Sequence, residues 1–447
     1  MIPAVGKSGA GRISISTRNQ IGADGSDCLH IEVTDTGIGI DPNRLEVVVL
    51  TSLAGGTGTG RFIDICYLVL DILRMNFHRR VTRKRSRLKA FPLGLVMAAA
   101  GVDASNVTPG HVVLLPIDPD VLKRQLYNLK IEDIDDPALS FLFREKREEL
   151  ELQISMLNDR GTRHFFYNSL MLYNGIEDKL VEEAQQLLDE VKEEEPGEAA
   201  ELLSAREFKE LAEKEFEYFR GQDENFHSRI HVRDDVNILM VSQGELYIPE
   251  DYQMDANSTR ALIQHEVGTH VLTYYNGLQQ PLKQLSTGLT DYDTLQEGLA
   301  VLAEYLVGGL TANRMRTLAG RVVAAAARVE GKGFREIFDL LHRQRGFSAI
   351  RAFNITSRIM QGSGFIKDII YLQGIVELKE HLEKGGELEP LLIGKFALKH
   401  LPVINELMER KVLKKTSILP RYMNTKETNE RLNNIRNGLP LSKMISA

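Results

Sequence analysis

Cysteine is nearly absent from this sequence. Cys28 and Cys66 are the two in 447 residues. That scarcity excludes a disulfide framework and a cysteine-rich zinc site, and it fits a reducing compartment. Any metal must be held by histidine and carboxylate. Long apolar runs are missing too, and no stretch reaches the roughly 18 apolar residues of a membrane span. The opening MIPAVGKSGAGRIS lacks the apolar core of a secretory signal. These absences give the expectation of a cytoplasmic protein with no membrane partner. Excess positive charge is also lacking. The 55 Lys and Arg face 62 Asp and Glu, a formal net charge of -7, which argues against a general nucleic-acid partner. No internal repeat and no low-complexity tract is found.

What is present is an ordinary globular balance, 43% hydrophobic and 26% charged, in a chain long enough to bury a sizeable core. Texture changes along it. Residues 1–80 form an irregular α/β extension. HIEVTDTGIGI (30–40) alternates like a strand, and residues 47–73 read as strand, Gly-rich turn and helix. The basic run HRRVTRKRSRLK (78–89) reads as solvated, and residues 81–109 as a linker. From about residue 110 the pattern is helical, with amphipathic segments over 138–161, 176–194 and 201–219. Over 226–249 the period changes, and RIHV, NILMVS and ELYI read as short strands of a small sheet. Helices return from about residue 258, and residues 424–447 read as a tail. The fold class expected is α+β, predominantly helical, with the small sheet beside a helix that carries HEVGTH.

HEVGTH (265–270) places three residues between Glu and the second His. On a regular helix, residues five apart point about 140° away from one another. His265 and His270 therefore share an ion only if the helix widens between Glu266 and His270, as in a π-bulge. Gly268, permissive in backbone, sits inside that interval. The helix should be capped by Ser258 or Thr259 and stopped near Tyr275 by Asn276-Gly277. A catalytic zinc takes three protein ligands and leaves a position for water. The third ligand is a carboxylate of QEGLAVLAEYL: Glu297, 27 residues beyond His270, with Glu304 as its competitor. Glu266 would then be free to act as general base. The preceding sheet offers a strand that can hold a peptide by main-chain hydrogen bonds.

HEVGTH, YNGLQQPLKQLSTGLTDYDTLQEGLAVLAEYL and GFIKDIIYLQG, in that order, resemble the QEGLA-motif metallopeptidase family. Its bacterial members are labelled flavohemoglobin expression-modulating proteins, and it is related to the microtubule-associated tyrosine carboxypeptidases. The resemblance covers residues 110–423. It implies a mostly helical zinc-peptidase-like fold with a small sheet, a Zn2+ cofactor, and a peptide or protein C-terminus as substrate. It also implies His265, His270 and Glu297 as metal ligands and Glu266 as the base.

A carboxypeptidase must hold the terminal carboxylate, for which a cation near the metal is the natural means. SRIMQGSGFIKDIIYLQG offers Arg358 and Lys367, with Tyr371 as a hydrogen-bond donor. Gln361 and Gln373 depart from the family pattern where Arg is common, and Ser363 interrupts its glycines. In the N-terminal extension, VTDTGIGI resembles an ATPase lid and AGGTGTG (54–60) the phosphate loop of the tubulin group. Two nucleotide folds do not fit in so short a stretch, so neither motif is assigned a nucleotide. The leading expectation is a zinc-dependent carboxypeptidase. The alternative is a non-catalytic regulatory protein on the same scaffold, and a third reading is a nucleotide switch coupled to the peptidase.

Overall fold

The computed structural model describes residues 13–21, 27–35, 45–50, 119–159, 162–194, 202–236 and 238–445. The expectations for the glycine-rich loop 54–60, the helix after it, the basic run 78–89 and the linker 81–109 lie outside the described residues. The N-terminal strands β1 (Ile13–Ile21), β2 (Asp27–Asp35) and β3 (Leu45–Leu50) form one antiparallel sheet in sequential order. They belong to one compact unit and the bulk of the helices to another.

The helical unit begins with α1 (Pro119–Tyr127), α2 (Pro137–Asn158), α3 (Arg163–Leu172) and α4 (Asp178–Glu190). Strand β4 (Leu202–Ser204) leads into α5 (Ala205–Gln222), where a capping box starts the helix. The Ser204 hydroxyl accepts from the Glu207 N–H, and the Glu207 carboxylate accepts from the Ser204 N–H, satisfying two otherwise orphaned groups. The short strands follow where the period change placed them: β5 (Ile230–Arg233), β6 (Met240–Ser242) and β7 (Glu245–Pro249). Their order is β5-β7-β6, with β5 parallel and β6 antiparallel to β7. Gln243 and Gly244 make the β6–β7 turn with φ of 51° and 75°. The strand β8 (Gln253–Asp255) pairs with β4.

Next come α6 (Ala256–His265), a π-helical segment (Glu266–Val271) and α7 (Leu272–Gln279), in effect one rod. Two sequence expectations fail here. The helix starts at Ala256, before Ser258 and Thr259, and Thr259 spends its hydroxyl on the Asp255 carbonyl at 3.0 Å. Nor do Asn276 and Gly277 end it. Asn276 is fully buried and ties α7 to distant loops: it donates to the carbonyls of Leu392 and Ile418 and accepts from the Ile418 N–H. Gly277 is there for close approach. A Cβ on it would lie 2.4 Å from the Leu285 carbonyl oxygen. Its small size, not a left-handed turn, is what the position uses.

The helix α8 (Tyr292–Leu306) is the core of the unit, buried along most of its length. Beyond it the unit holds α9 (Ala312–Val329), α10 (Ala349–Ile359), α11 (Ile370–Glu383), α12 (Leu401–Glu409) and α13 (Lys426–Arg436), of which α11 and α13 pack against α8. The last of these falls in the stretch read as a tail, yet it buries Leu432 and Ile435, and Arg431 donates to the Leu306 carbonyl. An aromatic chain ties α5 to α7: Phe216, Phe219 and Tyr275 all meet Phe226 edge-on, with centroids 5.2, 5.4 and 5.0 Å away. Each such pair adds about 1 kcal/mol beyond its buried area. The predominantly helical α+β architecture is as expected.

α8 and α11 cross glycine on glycine. A Cβ on Gly374 would sit 2.1 Å from the Thr294 carbonyl oxygen and 2.8 Å from the Gly298 Cα. Both obstacles are backbone, so one helix must move. Gly374→Ala is expected to cost at least about 2 kcal/mol, measured by denaturant or thermal unfolding. An unchanged midpoint would show that the crossing is not tight.

Candidate metal centre

The widening that the HEVGTH spacing requires is present. The π segment runs over Glu266–Val271, immediately after His265. Its i→i+5 bonding brings residues five apart onto one face, and Thr269 repeats that step by donating its hydroxyl to the Gln264 carbonyl. At Gly268 a side chain would be crowded: a Cβ would lie 2.3 Å from the Gln264 Oε1. The rings of His265 and His270 consequently converge, centroids 5.1 Å apart at an interplanar angle of 78°.

Glu297 comes to meet them from α8. Its Oε2 lies 3.6 Å from the His265 Nε2 and 3.7 Å from the His270 Nε2. These three side chains can place one ligand atom each within 4.8 Å of one another. The Glu297 Oε2 is buried and has no hydrogen-bond donor. A buried carboxylate oxygen without a donor is costly unless something positive sits beside it. Two imidazole nitrogens and a carboxylate are a donor set for a divalent ion such as zinc. The residues therefore fit a metal.

Charge at the site follows from burial and these neighbours. Burial pushes the Glu297 carboxyl up, but the imidazoles of His270 and His265 outweigh it and hold its pKa at about 2. For Glu266 burial wins, against the pull of both histidines, and its pKa is raised. Glu266 makes no hydrogen bond or ion pair among the described residues and is not fully buried. It is a proton acceptor left uncommitted beside the three-residue cluster.

Glu304 is not a member of that cluster. It lies two helical turns past Glu297 on the same face of α8, and its Oε1 is 2.8 Å from the His265 Nδ1. The other His265 nitrogen is thereby aimed at Glu297 and the tautomer is set. Arg314, on α9, clamps Glu304 from behind, Nη2 to Oε1 at 3.1 Å and Nε to Oε2 at 3.3 Å. Burial opposes the Glu304 charge, and Arg314 with His265 more than offsets that, so its pKa is lowered. The seven-residue spacing from Glu297 was a readable signal for Glu304. Nothing local in the sequence marks Arg314.

The three substrate-side candidates lie on α10, on a 3-10 turn (Ile366–Ile369) and on α11. Arg358 is held bidentately by Asp368. Lys367 lies 3.7 Å from the Asp293 carboxylate. The Tyr371 ring is flanked by the guanidinium groups of Arg321 and Arg314 at 5.0 and 5.6 Å. Burial and then the nearby Glu297 charge raise the pKa of its phenol, which keeps it a donor.

The fold and site together define a predominantly helical α+β protein with two histidines and a glutamate converging from a π-widened helix and its neighbour. The family model of the microtubule-associated tyrosine carboxypeptidases matches residues 105–439, and the chain belongs to that family. A second model, tubulin-like, matches residues 16–83. Among solved structures, a lipoprotein of unknown function from Shewanella oneidensis is 14% identical, with a TM-score of 0.35. That match covers 65% of this chain and 70% of the other, and so low a TM-score carries no argument. No helix among the described residues is long and apolar enough to cross a membrane.

Proposed function

We propose that this chain is a zinc-dependent carboxypeptidase that removes a C-terminal residue from a peptide or protein. In this reading His265, His270 and Glu297 hold the ion and Glu266 is the general base. The observation that carries it is the convergence of two imidazole Nε2 atoms on a buried, donor-less Glu297 oxygen, with Glu266 free beside them. Family membership supplies the substrate class.

A bound zinc ion acts as a Lewis acid, polarising a carbonyl and making water more acidic. The protein's own groups do the rest. Glu266 takes a proton from the attacking water and returns it to the leaving amine. Burial raises its pKa, which makes it a stronger proton acceptor than an exposed carboxylate. Glu304 and Arg314 keep the His265 ring from rotating. In this reading Tyr371 donates to the oxygen of the scissile group, and Arg358 and Lys367 add positive charge on that side. β6, an edge strand that packs against the π segment, offers backbone groups to an extended peptide.

The test is mass spectrometry of peptides incubated with zinc-loaded protein. Stepwise loss of single C-terminal residues is expected. Cleavage at internal bonds would overturn the exopeptidase half of the proposal, and no cleavage of any peptide would overturn the whole.

A further inference from the structure

Lys395 stands apart from the other cations near the site. Arg314, Arg358 and Lys367 all act on Glu297 electrostatically, but each is already committed to a carboxylate, Glu304, Asp368 and Asp293 respectively. The Lys395 ammonium makes no hydrogen bond or ion pair among the described residues. It lies instead over two rings, 5.6 Å from the centroid of Tyr274 and 5.8 Å from that of Tyr292. Those tyrosines belong to the metal-site elements. Tyr274 is four residues beyond His270, and Tyr292 five before Glu297.

The position of Lys395 is fixed by its backbone. Its N–H donates to the Leu285 carbonyl at 2.7 Å, and its carbonyl accepts from the Leu289 N–H at 2.9 Å. Gly394 beside it has no room for a side chain, since a Cβ would lie 2.8 Å from that of Leu285. The Lys395 side chain and both rings are only partly buried, so the ammonium keeps some access to solvent. Burial pushes the ammonium's pKa down, against the pull of Asp293 and Glu297. A half-desolvated cation on aromatic faces, held without a counter-ion, is poised for an anion that arrives from outside.

We infer that Lys395 receives the terminal carboxylate of the substrate, with the Tyr274 and Tyr292 rings flanking its ammonium. The inference rests on the carboxypeptidase reading and supplies it with a specificity-determining residue that the sequence did not single out. It places the carboxylate anchor on the segment after the 3-10 turn at Glu389–Leu392, not on Arg358, which Asp368 already occupies.

The experiment measures binding without turnover. A fluorescent peptide ending in tyrosine, as free acid and as C-terminal amide, is titrated into zinc-loaded Glu266→Gln protein and followed by anisotropy. The acid should bind roughly 10- to 100-fold more tightly than the amide, as expected for one charge-assisted contact. Lys395→Met should bring the two affinities together, and Lys395→Arg should restore much of the preference. Lys395→Gln is a second neutral variant, so a folding failure in one does not remove the test. Zinc content and melting temperature should match the parent. Acid preference that survives both neutral substitutions overturns the proposal, as does equal binding of acid and amide in the Glu266→Gln parent. Because no turnover is needed, a wild-type protein that hydrolyses nothing yet shows Lys395-dependent acid preference counts against the hydrolase reading alone.

Discussion

Glu266→Gln is expected to lower peptide hydrolysis by about 10³-fold while the protein keeps its zinc. The two side chains have nearly the same volume, so the mostly buried position is not disrupted by size. The carboxylate is not one of the three converging groups, and its loss leaves the His265, His270 and Glu297 geometry in place. What disappears is the group able to take a proton beside the reacting centre. One negative charge is also removed near the ion, which should weaken zinc binding modestly. The measurement pairs turnover with metal content on the same sample. Activity within tenfold of wild type would remove Glu266 from the base role. Loss of zinc together with activity would make it a ligand instead.

His265→Ala is expected to abolish zinc binding, from about one ion per chain to background, and activity with it. A three-ligand site that loses an imidazole keeps one imidazole and one carboxylate, too few to hold zinc against water. A ligand that binds only the folded state raises the melting temperature by mass action. Added zinc should therefore stabilise the wild-type protein and leave His265→Ala unmoved. Glu304→Gln provides the intermediate grade. It keeps a hydrogen-bond acceptor for the His265 Nδ1–H but removes the charge that balances Arg314. Loss of such an outer partner weakens metal affinity about 10- to 100-fold. Equal zinc content and equal zinc-dependent melting in wild type and His265→Ala would show that the ion, if bound, sits elsewhere.

Much of the site was legible because its constraints are local. Three residues between Glu266 and His270 force a choice between a widened helix and no shared ion, and the π segment is the first of these. The helical and strand periods located α2, α4, α5 and the small sheet to within a few residues. Boundaries failed where a residue serves the tertiary structure. Asn276 looked like a helix stop because asparagine before glycine often is one. In the fold its amide bridges loops more than a hundred residues away, and Gly277 makes room for a neighbouring backbone. No local pattern distinguishes those uses.

The amino-acid order alone determined which residue types stand at the candidate site and their spacing, the chain's helical character, and the need for a distorted helix if two histidines are to converge, because each depends on residues a few positions apart. Only the tertiary structure decided which carboxylate of α8 faces the histidines and which one steers His265, since both lie on the same helical face. It alone decided that Arg358 is occupied by Asp368 while Lys395, nearly a hundred residues past Glu297, has an uncommitted charge. Pairing of charges across the fold is a property of distance in space, and the chain sequence does not encode that distance locally.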